Sequence, residues 1–128
     1  FVKSFHAKTK VGIIAGVGDR RDEDIIALGE EAAKIFDEII IRYDDDTRGR
    51  TIEEIENLLT KGIVAVNPDI PITYSLNECE AIDYALDHAV PDSIIVVLAE
   101  NIKKAVDRVL QHQRRYKEQN QQWQKAVL

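Results

Sequence analysis

Short apolar runs alternate with stretches in which apolar residues recur at three- and four-residue steps, and the alternation repeats along most of the chain. Val11–Val17 is apolar and β-branched, with glycine at positions 12 and 16, the pattern of a strand buried on both faces. From Asp22 the period changes. Ile25, Leu28, Ala32, Ile35 and Phe36 fall on one helical face, with Asp19 or Asp22 as candidate N-cap. Gly29 lies on that face, where it would allow close packing on a sheet. Glu38–Tyr43 contains Ile39-Ile40-Ile41 and predicts a second strand. Thr51-Ile-Glu-Glu54 has the form of a capping box, Ile52, Ile55, Leu58 and Leu59 line the helix behind it, and Gly62 is a natural C′ stop before a connection at 63–69.

Ile70–Tyr74 predicts a third strand. Pro71 has no N–H to give to a ladder, so this strand belongs at an edge. Ser75-Leu-Asn-Glu78 offers another capping box, with Cys79, Ile82, Leu86 and Ala89 as the apolar stripe that follows. Ser93–Ala99 is the clearest strand of all. Ile102, Ala105, Val106, Val109 and Leu110 then predict a strongly amphipathic helix. After Gln111 the chain turns to glutamine, arginine and lysine, with Tyr116 and Trp123 isolated among them; this tail either extends the last helix or is loosely ordered.

Four strand–helix units predict an α/β domain, Rossmann-like and three-layered, with a mainly parallel sheet. The strand order 3-2-1-4 puts the Pro71 strand at an edge and makes the first two strands neighbours. Their following loops, 16–22 and 44–50, would then lie side by side at the carboxyl ends of the strands, where open α/β sheets bind ligands. Residues 1–10 read as a lead-in from a preceding domain, 11–110 as the domain itself and 111–128 as a C-terminal tail.

Composition narrows the function. A net charge of −6 over 128 residues excludes a general nucleic-acid binder. No apolar run approaches the roughly 20 residues that span a bilayer. Cys79 is the single cysteine, so no internal disulfide can form, in keeping with a reducing, cytoplasmic setting. There is no methionine and the first residue is Phe1, which suggests a piece of a longer protein.

The residues that carry chemistry concentrate in the two loops. Gly16-Val-Gly18-Asp-Arg-Arg-Asp22 has the shape of a phosphate loop, but the third glycine of a dinucleotide fingerprint would fall at Arg21, and Gly-Lys-Ser/Thr occurs nowhere. A tight turn with a solvated charged cap is the competing reading. In Asp44-Asp-Asp-Thr-Arg-Gly-Arg50, carboxylates could receive a guanidinium or ammonium group while Arg48 and Arg50 clamp a carboxylate, holding an amino acid by its charged ends. An internal Asp–Arg network, or a solvated turn, is the alternative. His6, His88 and His112 have no metal-ligand spacing, no metal site is expected, Cys79 reads as core, and no nucleophile elbow occurs. Arg114-Arg115 and Trp123 read as an unpacked terminus.

Gly18-Asp-Arg-Arg-Asp-Glu-Asp24 and Asp44–Arg50, with the Ile39–Arg42 strand between them, resemble the C-terminal domain of the Mur ligase superfamily, in particular the branch that builds an aspartate polymer carrying arginine. The resemblance covers roughly residues 9–105. It implies a lid domain of an ATP-dependent amide ligase, with ATP and Mg2+ held mostly by a preceding ATP-binding domain of the same chain. It further implies arginine and an aspartyl polymer as substrates, a homo-oligomeric parent, and no catalytic residue in this domain alone. Gly16, Gly18, Asp19, Arg20 and Arg21 would fall at the nucleotide, and Asp45, Asp46, Arg48 and Arg50 at the amino acid. Asp45-Asp46-Thr47-Arg48 stands where Mur ligases that add a diamino acid have Asp-Asn-Pro-Arg, whose arginine binds the incoming carboxylate, so Arg48 inherits that role. An acid at Asp46 in place of asparagine suits a more cationic substrate such as arginine. The lysine that often follows the first loop in Mur ligases is absent. A peptidoglycan Mur ligase with a different amino acid, and a stand-alone Rossmann-like binding module, are the alternatives.

Overall fold

The structure, a computed structural model, describes residues 7–127, with side chains to residue 119. His6, the rest of the lead-in before residue 7 and the Trp123 side chain lie outside the described residues. The elements run β1 (Thr9–Ile14), α1 (Asp22–Ile35), β2 (Glu38–Arg42), α2 (Ile52–Val66), β3 (Ile72–Leu76), α3 (Glu78–Asp87), β4 (Ser93–Val97) and α4 (Ile102–Val127). Four strands pair in the order β3-β2-β1-β4, every pair parallel. The expected α/β Rossmann-like architecture and strand order are both found.

The sheet is central because successive isoleucines point to opposite faces. Ile14, Ile39 and Ile41 pack with Ile25, Leu59 and Ile63 of α1 and α2. Val11, Ile13 and Ile40 pack with Ala81, Ile82, Ala85 and Ala105 of α3 and α4. This three-residue run in β2 therefore serves two cores, which is why it is apolar without a break.

Several boundaries differ from the sequence reading, each for a visible reason. β1 starts at Thr9 and stops at Ile14, because Lys10 pairs with Ile94 of β4 while Gly16 leaves the sheet to pack under Ile55. Arg21 caps α1 without a side-chain bond, so neither Asp19 nor Asp22 is the N-cap. Gly29 packs against a helix rather than the sheet, and Gly62 does not end α2. The two glycines hold α1 and α2 together: a Cβ on Gly29 would lie 2.2 Å from the Leu59 carbonyl oxygen, and one on Gly62 would lie 2.0 Å from that of Ile26. α2 continues to Val66 with Ile63 fully buried.

β3 is the edge strand expected, but Pro71 precedes it and accepts a hydrogen bond from the Ile39 N–H through its own carbonyl (3.1 Å). Ser75 belongs to β3. It lies at a register shift with φ +60°, and its N–H leaves the ladder to donate to Glu56 Oε2 at 2.6 Å. The cap of α3 is Asn77, in a reciprocal box with Glu80. Thr51 caps α2 by accepting from the Glu54 N–H at 3.0 Å.

The tail continues α4 as helix. Of its apolar stripe only Ala105 is buried; Ile102 is 73% exposed, and Val106, Val109 and Leu110 face an apolar groove of about 660 Å³ shared with Val17 and Leu98. β4 is the last strand of the sheet, so nothing among the described residues covers this flank. No helix among the described residues is long and apolar enough to cross a membrane.

Candidate functional site: two charged loops at the carboxyl edge of the sheet

β1 and β2 are adjacent and parallel, so the chain leaves both at the same edge. The loops that follow are in direct contact. A Cβ on Gly18 would lie 1.8 Å from the Thr47 carbonyl oxygen, so only glycine admits this approach. Arg50 binds them together. Its Nε donates to the Gly18 carbonyl at 2.9 Å, its Nη2 donates to the Arg20 carbonyl at 2.9 Å, and the same nitrogen lies 2.7 Å from Asp22. With Glu54 a further 3.6 Å away, the Arg50 guanidinium is engaged inside the chain.

Arg48 is placed differently. It sits at φ +53° with its side chain 55% exposed, and it lies 3.1 Å from Asp46 and 3.9 Å from Asp19. Its N–H donates to Asp46 Oδ1 at 2.9 Å, which fixes the turn. The guanidinium therefore stands at the surface above the junction of the two loops. Asp45 and Asp46 are exposed beside it, as are Asp19 and Arg20 across the junction. Arg20 makes no ion pair among the described residues. Arg21 is taken up by Asp24 and Glu23; the hydrogen bond with Asp24 raises the pKa of Arg21 and lowers that of Asp24. Gly16 is buried beneath Ile55, which accounts for that glycine by packing alone.

Three groups that sequence reasoning did not single out belong to the same edge. Arg42 closes β2 and is 4% exposed, bonded to Asp44 and to the Leu98 carbonyl. Glu100 follows β4, and burial together with the negative charges of Asp44 and Asp45 raises its pKa. Glu78 opens α3, and its buried Oε1 has no hydrogen-bond partner. Asp45, Glu78 and Glu100 line a polar recess of about 510 Å³ with Tyr43, Asn77 and Lys104. Cys79, expected in the core, lines the same recess half-buried. The one available signal was position: each of these residues lies at or just beyond the carboxyl end of a strand.

His88 and His112 take structural places. His88 stacks on Tyr84, and His112 lies 2.7 Å from Asp83, which also binds Arg108. No group of three or more His, Cys, Asp or Glu among the described residues could hold a metal ion.

A parallel α/β sheet with paired charged loops at its carboxyl edge is consistent with a Mur ligase-type C-terminal domain. No protein-family model matches the chain. Curated relatives do. The chain is 43% identical over 106 residues to "Cyanophycin synthetase" of Nostoc sp., 41% identical over 109 residues to that of Synechocystis sp., and 38% identical over 109 residues to that of Crocosphaera subtropica. These matches cover 83% to 85% of this chain and 12% of each relative. The chain is thus a homologue of a domain-sized segment of cyanophycin synthetase.

Proposed function

We propose that this chain is the C-terminal lid domain of an ATP-dependent amide ligase that joins arginine to the β-carboxyl of an aspartyl polymer. The observation that carries the reading is the 43% identity over 106 residues to a cyanophycin synthetase segment, a match long enough to include loop 44–50. The nucleotide, with Mg2+, would supply the phosphoryl group that activates the aspartyl carboxylate, so that amide formation would release ADP and phosphate.

The chain's own residues fit a supporting role toward the nucleotide. Arg20, exposed and free of ion pairs among the described residues, offers charge to a terminal phosphate, and Gly16 and Gly18 shape the loop that carries it. Arg21 is spent on Asp24, and Asp19 faces Arg48, so neither adds positive charge to the phosphates. The metal ion and most phosphate contacts would come from the preceding domain. Arg48 would take the carboxylate of the incoming arginine in bidentate fashion, exchanging Asp46 for it. Asp45, Asp46 and the unpartnered Glu78 oxygen would receive the cationic side chain, and Arg50 would hold the two loops in one frame. Closure of such a domain would orient the amine and keep water from the activated carboxyl group.

The test is ATP-dependent phosphate release by the full-length protein given an aspartyl primer and, in turn, arginine, lysine and diaminopimelate. Release that requires arginine is expected. Release that requires another amino acid, or none, from folded protein overturns the reading.

A further inference from the structure

A guanidinium carries five N–H donors and does not lose its charge, so burying one is costly unless its donors are matched. Arg42 is 4% exposed and matched to two different segments. Nε and Nη2 donate to the Leu98 carbonyl at 3.0 and 2.6 Å, and Nη1 donates to Asp44. β1 lies between β2 and β4 in the sheet. The side chain therefore crosses the carboxyl end of β1 and ties the segment after β4 to the loop after β2. Both partners are functionally placed: Asp44 adjoins Asp45 of the acidic loop, and Leu98 precedes Glu100 of the recess by two residues. Packing alone does not call for an arginine here. The side chain borders the apolar groove with Val17, Val97 and Ala105, where methionine would fill similar space without burying a charge.

We propose that Arg42 is a positioning residue: it sets the acidic loop 44–48 against the 98–100 segment, and so fixes the spacing at which the two present their carboxylates to the cationic end of the incoming amino acid. This rests on the reading of loop 44–48 as the amino-acid loop. Arg42 touches neither substrate nor nucleotide; it acts through Asp44 and the Leu98 carbonyl. Its charge also works against the crowding of Asp44, Asp45 and Glu100, lowering the Glu100 pKa where burial and Asp44 raise it.

The experiment compares Arg42→Lys, Asp44→Asn and Arg48→Ala in the full-length protein, reading KM for arginine, KM for ATP, kcat and melting temperature. Lysine keeps the charge of Arg42 and loses its fork, so it cannot hold Leu98 and Asp44 together. Arg42→Lys should raise the arginine KM by about tenfold or more, leaving the ATP KM within about twofold. Asp44→Asn takes the charge out of the same link from the more exposed side, leaving only a neutral acceptor, and should shift the same constant; it decides the matter if Arg42→Lys does not fold. The double variant should cost less than the two singles multiplied, because both weaken one link. Equal changes in both KM values, or a lower melting temperature with unchanged KM, would make Arg42 a structural residue only. Arg48→Ala separates the two ideas: with its arginine KM raised, unchanged Arg42 and Asp44 variants refute the positioning role alone, whereas an unchanged arginine KM in Arg48→Ala removes Arg48 from the site and with it the reading of loop 44–48 on which the positioning role rests.

Discussion

Replacing Gly62 with alanine should unfold this domain at a lower temperature although alanine is the better helix former. At Gly62 the new methyl would lie 2.0 Å from the Ile26 carbonyl oxygen and 2.9 Å from the Glu30 nitrogen. The first distance is about 1.5 Å short of an ordinary van der Waals contact. Both obstacles are backbone atoms of α1, so no rotamer change relieves the clash and the helices must part. Overpacking against backbone belongs at the upper end of its range, about 3 kcal/mol. Helix propensity returns about 1 kcal/mol of that. The net loss of about 2 kcal/mol corresponds to about 8 °C in melting temperature for a domain of this size.

Gly29→Ala meets the Leu59 carbonyl oxygen at 2.2 Å and should behave alike. The two substitutions press on one interface, so the double variant should lose less than the sum of the singles. Gly49→Ala is the control: with φ +88° and nothing within 4 Å, it should cost about 1 kcal/mol through backbone strain alone. Urea unfolding followed by circular dichroism measures all four variants. A Gly62→Ala domain as stable as the parent, or strict additivity of the pair, would refute the packing argument.

Glu56 holds β3 by accepting the Ser75 N–H and hydroxyl, so Glu56→Gln should cost about 1.5 kcal/mol and Glu56→Ala about 3, read by urea midpoint. Asp83 is held at a pKa of about 2, first by its hydrogen bond with Arg108, against the opposing effect of burial, and then by His112. A pKa depressed by folding means stability that is present above the unfolded value near 3.8 and lost as pH falls towards 2. Acid titration by circular dichroism should therefore show a steeper decline across that interval for the parent than for Asp83→Asn. Asp46→Asn should narrow the preference of the full-length protein for arginine over neutral amino acids, measured as the ratio of kcat/KM values; an unaltered ratio would remove Asp46 from recognition.

The sheet was legible because its signals were local and redundant. Pro71 marked an edge, the isoleucine runs marked buried strands, and the two together left few strand orders. The meeting of loops 16–22 and 44–50 followed from that order. Signals that depend on a distant partner were illegible. Ser75 and Asn77 each begin a pattern that fits a capping box, and only the position of Glu56 across the fold assigns Ser75 elsewhere. Gly62 carries the mark of a helix stop, and the approach of α1 turns it into a contact point instead. Arg42 reads as the polar end of a strand until β4 brings the Leu98 carbonyl over it. Arg50 stands beside Arg48 in sequence and reads as its partner; the carbonyls of Gly18 and Arg20 set it apart.

Arg50 has a consequence for thermodynamic linkage. Its bonds to the Gly18 and Arg20 carbonyls make any displacement of the first loop a displacement of the second. If, as proposed, each loop takes a ligand, the two ligands would share a coupling free energy, and reciprocity requires that each change the affinity of the other by the same factor. Cutting the strut with Arg50→Met should bring that factor towards one. The two occupancies would become independent events, without loss of either binding surface.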